Sequence, residues 1–419
     1  MKLVRMLKGA LGGAALGAAA VTGAAAQEDE AFRMGVCYDL SRAYTFITPQ
    51  IVQAGRDLAD LINADGGIGG HPIELTVQDH GNEPQRGIEC YERLRRDGVF
   101  VFDFLSTPVS LAVVPRAMRD EVVMMQSLVG RGDAINGEVF EWVFPVGPTY
   151  WGQAANDIAF IKEQNGGSLE DMTIGFVYLD YPFGQEPIRI LETLAEREGF
   201  ELQLYPVPLP GNDQSATWTQ VRRNQPDYMI SWLLANGHVV ASREMQRNGY
   251  PISQYIAVNW LNEVDIENIG NEAATGILRG TNVVGGQDIP IIQEIIAELY
   301  EEGEGNGPRE MINDVYYNTG VAMYSVVFEA ARLAYEADGW PITPESMRRG
   351  LRSLEEYDAN GLFAPVTVTE SDHGGGGRTR VEMWDGETWV PQNDWTAAYQ
   401  DVIWDVVDQY SSEFTLEED

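Results

Sequence analysis

NADGGIGGHPIELTVQD, residues 63–79, sets four glycines around Ile68 and then runs into a strand-like alternation. Such a run either cradles a phosphate or ends one element and starts the next, and the residues before it decide between the two. TPQIVQAGRDLADLIN, 48–63, repeats apolar or small residues at Ile51 and Val52, Gly55, Leu58 and Ala59, and Ile62. That helical period predicts a helix with Thr48 as N-cap and Pro49 in its first turn. The glycines therefore follow a helix C-terminus, whose unpaired carbonyls and negative dipole end repel phosphate, whereas anion-binding loops lie at helix N-termini. No Lys-Ser/Thr follows, so a Walker loop is excluded. The run is predicted to be a helix C-cap and turn.

Outward from this turn, strand and helix alternate. FRMGVCYDL is a strand, then come the helix above and the strand PIELTVQD, the helix PQRGIECYERLRRDG, the strand VFVFDFL, the helix PVSLAVVPRAMRD and the strand EVVMMQSL. This βαβ series predicts a parallel sheet. Its second strand alternates Ile73, Leu75 and Val77 with Glu74, Thr76 and Gln78, as a half-exposed edge does, whereas the first and third are nearly continuous apolar runs. The predicted strand order is 2-1-3-4, doubly wound. In that order the second helix crosses the first strand and can bring Cys90 to face Cys37; the pair forms either one disulfide or two buried thiols.

The pattern restarts at MTIGFVYLD and continues through FGQEPIRILETLAEREGF, ELQLYPVPL, SATWTQVRRNQ, DYMISWLLA, HVVASREMQRNGY and QYIAVNWLN. GILRGTNVVG, helices over 289–302, 313–337 and 344–354, and a hairpin turning at Asp385-Gly386 in WDGETW complete the chain. The fold class read from this is α/β with two doubly wound parallel-sheet lobes.

The chain opens with Lys2, Arg5 and Lys8 before an Ala/Gly-rich apolar stretch that ends at Ala24-Ala25-Ala26, which predicts a cleaved signal peptide over 1–26 and export. The net charge is −36, and removing the three leader cations takes the mature chain to −39. Such a charge works against nucleic acid and anionic membrane as partners. About 390 mature residues, with a chain that is 44% hydrophobic, suffice for two domains.

In open α/β sheets ligands bind beyond the carboxyl ends of the strands. Those positions are DLSRAYTF (39–46, with Tyr44 and Phe46), LSTPVS (with Ser106, Thr107 and Ser110) and QSLVGR (with Gln126 and Ser127) in the first series. In the second they are LDYPFG (with Asp180, Tyr181 and Phe183), WLLANGH (with Trp232 and Asn236) and NWLNE (with Trp260, Asn262 and Glu263). The first set offers hydroxyls, an amide and a helix N-terminus suited to a carboxylate or another acceptor-rich group. The second is aromatic and suits an apolar or ring-bearing part of a ligand. The motifs GxSxG, HExxH, CxxC and Walker A do not occur, and His71, His80, His238 and His373 lack metal-ligand spacing and read as loop or surface residues. Neither a catalytic centre, a metal nor a cofactor is expected.

The exported start, GVCYDLS, LADLINADGGIGGHPIELTVQD, LSTPVSLAVVP, YPFGQ and DGETWV together resemble the type I periplasmic binding proteins of ABC importers, of the leucine/isoleucine/valine and amide/urea-binding kind. The resemblance spans nearly the whole mature chain and implies two lobes, 27–147 plus 281–360 and 148–280 plus 361–419, joined by three crossings. It further implies that they close on one small molecule in the periplasm and present it to a permease, usually as a monomer. It places ligand contacts at Ser106, Thr107, Gln126 and Ser127, with Phe183 packing on the ligand and Tyr181 two residues earlier. Amino-acid binders of this family hold the ammonium with an acid on the second lobe; here the matching loop reads NWLNE, with Asn262 or Trp260 at that place and Glu263 adjacent. That departure, with Trp232 and Trp260, points to a ring-bearing ligand such as an aromatic acid. Two alternatives stay open: a ligand-sensing subunit of the same fold, and an exported α/β hydrolase with Asp180 or Asp39 as general base.

Overall fold

The computed structural model describes residues 31–128 and 130–416, so the expected leader lies outside the described residues. Five strands, β1 (Phe32–Tyr38), β2 (Ile73–Asp79), β3 (Val101–Asp103), β4 (Val123–Met125) and β5 (Val143–Phe144), form a parallel sheet in the order β2-β1-β3-β4-β5. β1 and β2 run in register from Phe32↔Ile73 to Tyr38↔Asp79. The expected order holds because β2 is half-buried along most of its length while β1, β3 and β4 are buried, which only an edge place satisfies.

The second sheet contains β6 (Thr173–Leu179), β7 (Glu201–Val207), β8 (Tyr228–Trp232), β9 (Tyr255–Ala257), β10 (Leu278–Thr281), β11 (Arg380–Trp384) and β12 (Trp389–Pro391), in the order β12-β11-β10-β9-β8-β6-β7. Its first five strands are parallel, and the expected hairpin β11–β12 adds to the β10 edge antiparallel. The helices are α1 (Thr48–Ala64), α2 (Pro84–Arg96), α3 (Thr107–Asp120), α4 (Tyr150–Gln164), α5 (Pro182–Gln185), α6 (Ile188–Glu198), α7 (Ser215–Asn224), α8 (Asn236–Asn248), α9 (Glu263–Ile269), α10 (Pro290–Ile295), α11 (Val315–Asp338), α12 (Pro344–Leu351) and α13 (Gln400–Ser411). Among the described residues no helix is long and apolar enough to cross a membrane.

The glycine run ends α1 as a turn. Gly67, at a φ of 69°, returns its N–H to Ile62 O, and a Cβ there would lie 2.1 Å from His71 O. Asn63 then pins the turn to the edge strand, accepting the Ile73 N–H at 2.7 Å and donating to Ile73 O at 3.0 Å. Thr48 is not the N-cap. The helix already includes it, and its hydroxyl donates backwards to Asp39 O at 2.7 Å and Tyr44 O at 3.1 Å, while the Asp39 carboxylate holds the loop N–H groups of Arg42 and Tyr44.

The helix expected over 183–200 is two, α5 and α6, because Pro187 has no N–H to give and its ring bars the preceding turn. The chain passes between the sheets three times: after β5 through Val146–Pro148, after β10 through Asn282, and back toward β11 through the stretch that contains Phe363 and Arg378. α11 packs on α1 and α12 on the first-sheet side. The stretch before β11 also lies there, with Val366 bridging Tyr357, and His373 stacked on Phe144 and hydrogen-bonded to Val143 O. α13, which the sequence reading did not include, rests on the 3-10 turn Gly132–Ile135 of the first unit and on α4 and α6 of the second.

Candidate ligand-binding site

The strand-end loops of both sheets meet around a small cavity lined by Tyr44, Phe46, Ile47, Leu105, Ser106, Thr107, Leu128, Tyr150, Phe183, Leu234 and Trp260. Six expected site residues are thereby brought together: Tyr44, Phe46, Ser106, Thr107, Phe183 and Trp260. About 10 Å³ is open to the centres of water molecules, room for about one water.

The rings form a continuous wall. Tyr44 packs on Phe46, Phe46 edge-on to Tyr316, Tyr316 on Trp260, and Tyr150 edge-on to Phe183 with centroids 5.2 Å apart. Tyr150, which strand-end reasoning missed, is the hub. Its hydroxyl donates to Leu128 O and accepts the Trp260 indole N–H at 2.9 Å. It begins α4 just after the first crossing, behind the capping residue Thr149, rather than at the end of a strand, and that cap was its sequence signal. Burial pushes the Tyr44 hydroxyl well above the usual phenol range, with Tyr181 and Asp39 adding to it, so this wall stays neutral.

The polar side of the cavity is the start of α3. Ser106 Oγ donates to Asn82 Oδ1 at 2.7 Å, and Thr107 Oγ1 accepts the Gly130 N–H at 2.9 Å. Pro108 lies in the first turn of this 14-residue helix, which has no side-chain cap at Ser106, and the positive dipole end of such a start favours an acceptor. No lining side chain carries a formal charge.

Tyr181 stands outside the lining residues and accepts from Asn82 Nδ2 at 3.1 Å, so reaching Ser106 through one amide. The other four expected residues do not line the cavity. Gln126 donates to Gly130 O, and Ser127 Oγ donates to Val146 O. Trp232 is fully buried behind Tyr150 and Phe176. Asn262 caps α9 by accepting the Asp265 N–H, and donates to Asp314 Oδ2 at 2.7 Å. Glu263 accepts the Val315 N–H at 3.0 Å. His80, His238 and His373, read as loop or surface residues, are buried and hydrogen-bonded to Phe104 O, the Tyr255 hydroxyl and Val143 O. Outward of α3 and α6 a wider polar cleft of about 1260 Å³ carries both signs of charge, Arg116, Arg189, Glu192 and Glu413 among them.

The sequence profile of the family described as "periplasmic binding protein" matches residues 31–388. A solved structure described as an ABC transporter permease from the Pseudomonas fluorescens group is 30% identical, with a TM-score of 0.84 over 92% of this chain and 96% of that one. A branched chain amino acid ABC transporter from Thermus thermophilus with bound valine shares the fold at 17% identity, TM-score 0.78, covering 90% and 99% of the two chains. Among curated proteins, the Leu/Ile/Val-binding protein homolog 8 of Brucella suis biovar 1 (strain 1330) is 24% identical over 258 residues, 60% of this chain; the match spans only 62% of that relative's length. With a profile match over most of its length and two α/β units meeting around one cavity, the chain belongs to the periplasmic binding protein family.

Proposed function

We propose that the chain is an extracytoplasmic solute-binding protein of an ABC importer, working in the periplasm as a monomer without covalent chemistry. Its lobes, 27–147 plus 281–360 and 148–280 plus 361–419, close by hinge motion on a small organic ligand and deliver it to a permease. Segment 361–377 acts as a strap laid over the first lobe. The observation that carries this reading is the uncharged, ring-walled cavity built from strand-end loops of both sheets, with one helix N-terminus as its polar pole. The wider outer cleft carries charges of both signs, which suit solvent better than an apolar ligand.

The ligand class is amino-acid-like, an amide or an aromatic acid, and the relatives named for leucine, isoleucine and valine support the first. The loop at the expected ammonium site favours the others. Asn262 is taken up by Asp265 and Asp314, and Glu263 by Val315 and Arg279, which leaves the cavity no carboxylate for an ammonium group. Ser106 and Thr107 then receive the carboxylate or amide, and Phe46, Phe183 and Trp260 hold the ring.

Mass spectrometry of small molecules released on denaturing the purified protein, followed by thermal shifts with leucine, phenylacetate and phenylacetamide, tests this. A ring-bearing acid or amide that raises the melting temperature with saturating dose is the expected result. Stabilisation by leucine alone would sink the ring-bearing assignment, and an unmoved protein across the panel would remove the transport reading for these solutes.

A further inference from the structure

Behind Leu128, which walls both spaces, lies a second cavity that none of the proposed ligand contacts explains. It offers about 40 Å³ to the centres of water molecules, against about 10 Å³ in the aromatic cavity. That is room for about three waters, or on the order of 90 Å³ of displaced liquid. All three passages between the sheets line it: Val146 to Pro148 from the first, Asn282 from the second, Phe363 to Val366 and Arg378 from the third. Ala322, Met323 and Val326 of α11 complete the wall.

Its chemistry differs from the aromatic cavity's: mostly aliphatic walls with a single aromatic ring, Phe363, and one cation, Arg378. Arg378 donates to Pro365 O at 2.8 Å and has no carboxylate within ion-pair distance among the described residues, in a chain with 64 acidic and 28 basic residues. Asn282 Oδ1 is buried without a hydrogen-bond partner. The two hydroxyls of the wall are spent elsewhere, Ser127 on Val146 O and Thr319 on Val315 O. A guanidinium with open N–H groups takes a carboxylate fork to fork, and an Asn amide, turned over, gives it a further N–H. The buried position of the Asn282 amide oxygen atom strengthens the bond made there, whereas the half-exposed Arg378 acts mainly by charge.

We propose that this hinge cavity is a second ligand site, for a small aliphatic monocarboxylate, with Arg378 and Asn282 on the carboxylate and Val146, Met323, Val326 and Phe363 around the hydrocarbon. Because its walls come from every crossing, its occupant binds best to one hinge geometry and shifts the protein toward it by that difference in affinity. The site is independent of which solute the aromatic cavity takes.

The test uses isobutyrate and its neutral counterpart isobutyramide as probes. Calorimetric titration of the purified protein is expected to show isobutyrate binding at least about tenfold tighter than the amide, a preference that Arg378→Gln abolishes. Ala322→Leu, which fills the cavity, is expected to remove binding of both. In spectra of methyl-labelled methionine, the Met323 signal, assigned through Met323→Leu, moves with isobutyrate. Arg378 is half-exposed, so Arg378→Gln keeps its fold and the test survives even if Ala322→Leu does not. No binding of isobutyrate by the parent protein, equal binding of acid and amide, or unchanged affinity in Arg378→Gln would each overturn the proposal.

Discussion

Glu186 and Gly132 are tied across the two sheet units: Glu186 Oε1, between α5 and α6, accepts the Gly132 N–H at 2.7 Å and the neighbouring Arg131 N–H at the same distance. Trp151 donates its indole N–H to Glu186 O and lies against Gly132, where a Cβ would come within 2.3 Å of its ring. This carboxylate fastens the loop after β4 to the second unit, alongside the bond from the Tyr150 hydroxyl to Leu128 O. Glu186→Ala leaves two N–H groups without their acceptor, at a cost of about 2 kcal/mol. Small-angle scattering is expected to show a larger radius of gyration for the unliganded variant and a lower melting temperature, with Glu186→Gln intermediate. Identical scattering curves for parent and Ala variant would show that the fastening does not set the resting form.

Tyr150→Phe tests the cavity hub. The change keeps the ring against Phe183 but strips Leu128 O of its donor and the Trp260 indole of its acceptor. Two buried polar groups are left unpaired, a loss of about 2 kcal/mol in folding stability. Ligand affinity is expected to fall roughly tenfold, since Trp260 is no longer fixed in the wall. Urea unfolding and titration with whichever compound the thermal panel identifies measure the two effects separately. A stability loss with unaltered affinity would detach Trp260 from the site.

Stability depends on pH through Asp103. Burial pushes its carboxyl from the ordinary aspartate range up to about 7, against the opposing pull of the Leu105 N–H and the Tyr38 hydroxyl. The folded-state pKa lies above the unfolded one, so the folded chain holds this proton more tightly. Its contribution is therefore full below about pH 4, declines as pH rises toward about 7, and is flat above. The loss over that window is on the order of a few kcal/mol. Asp265 and Asp314, also raised to about 7 by burial, add in the same direction. Urea midpoints at steps from pH 4 to 8 are expected to fall for the parent and to fall less for Asp103→Asn. Parallel curves would remove Asp103 as the source.

Much of the fold was written in strand patterns. The alternation Ile73, Leu75, Val77 fixed the edge place of β2, and with it the order of the first sheet. The lining of the candidate cavity was legible where a strand-end loop turns straight into a helix start, as at Ser106–Thr107 and Phe183. It was less so where side-chain direction decides. Trp232 ends β8 but points into the core, while Leu234 two residues on reaches the cavity, and a one-residue change of phase is enough to exchange such faces. Gln126 and Ser127 follow a three-residue strand, and the chain bends there so that their polar atoms bond to Gly130 and Val146. The buried histidines carried no sequence signal, because their hydrogen-bond partners, the Phe104 and Val143 carbonyls and the Tyr255 hydroxyl, come from 24, 230 and 17 residues away. α13 did carry one, Val402, Ile403, Val406 and Val407 at helical spacing, in a stretch beyond the last expected hairpin.

Cys37 on β1 and Cys90 on α2 are joined as a disulfide with a sequence separation of 53. The bridge sits in its own apolar cluster with Tyr91, Phe102 and Val109, apart from the cluster that contains the cavity rings. Closing a loop of this length lowers the entropy of the unfolded chain by the equivalent of about 4 kcal/mol in the chain-entropy picture, and measured losses on removing such bridges run about 2–5 kcal/mol. The double substitution Cys37→Ala with Cys90→Ala is thus expected to lower the urea midpoint by an amount in that range. Ligand affinity is expected to change less than about twofold, because the bridge lies in an apolar cluster separate from the one that holds the cavity rings. Reduction of the parent under mild denaturant should reproduce the stability loss without mutation. An unmoved midpoint in both would mean that the unfolded chain is already compact enough around β1 and α2 for the bridge to restrict nothing.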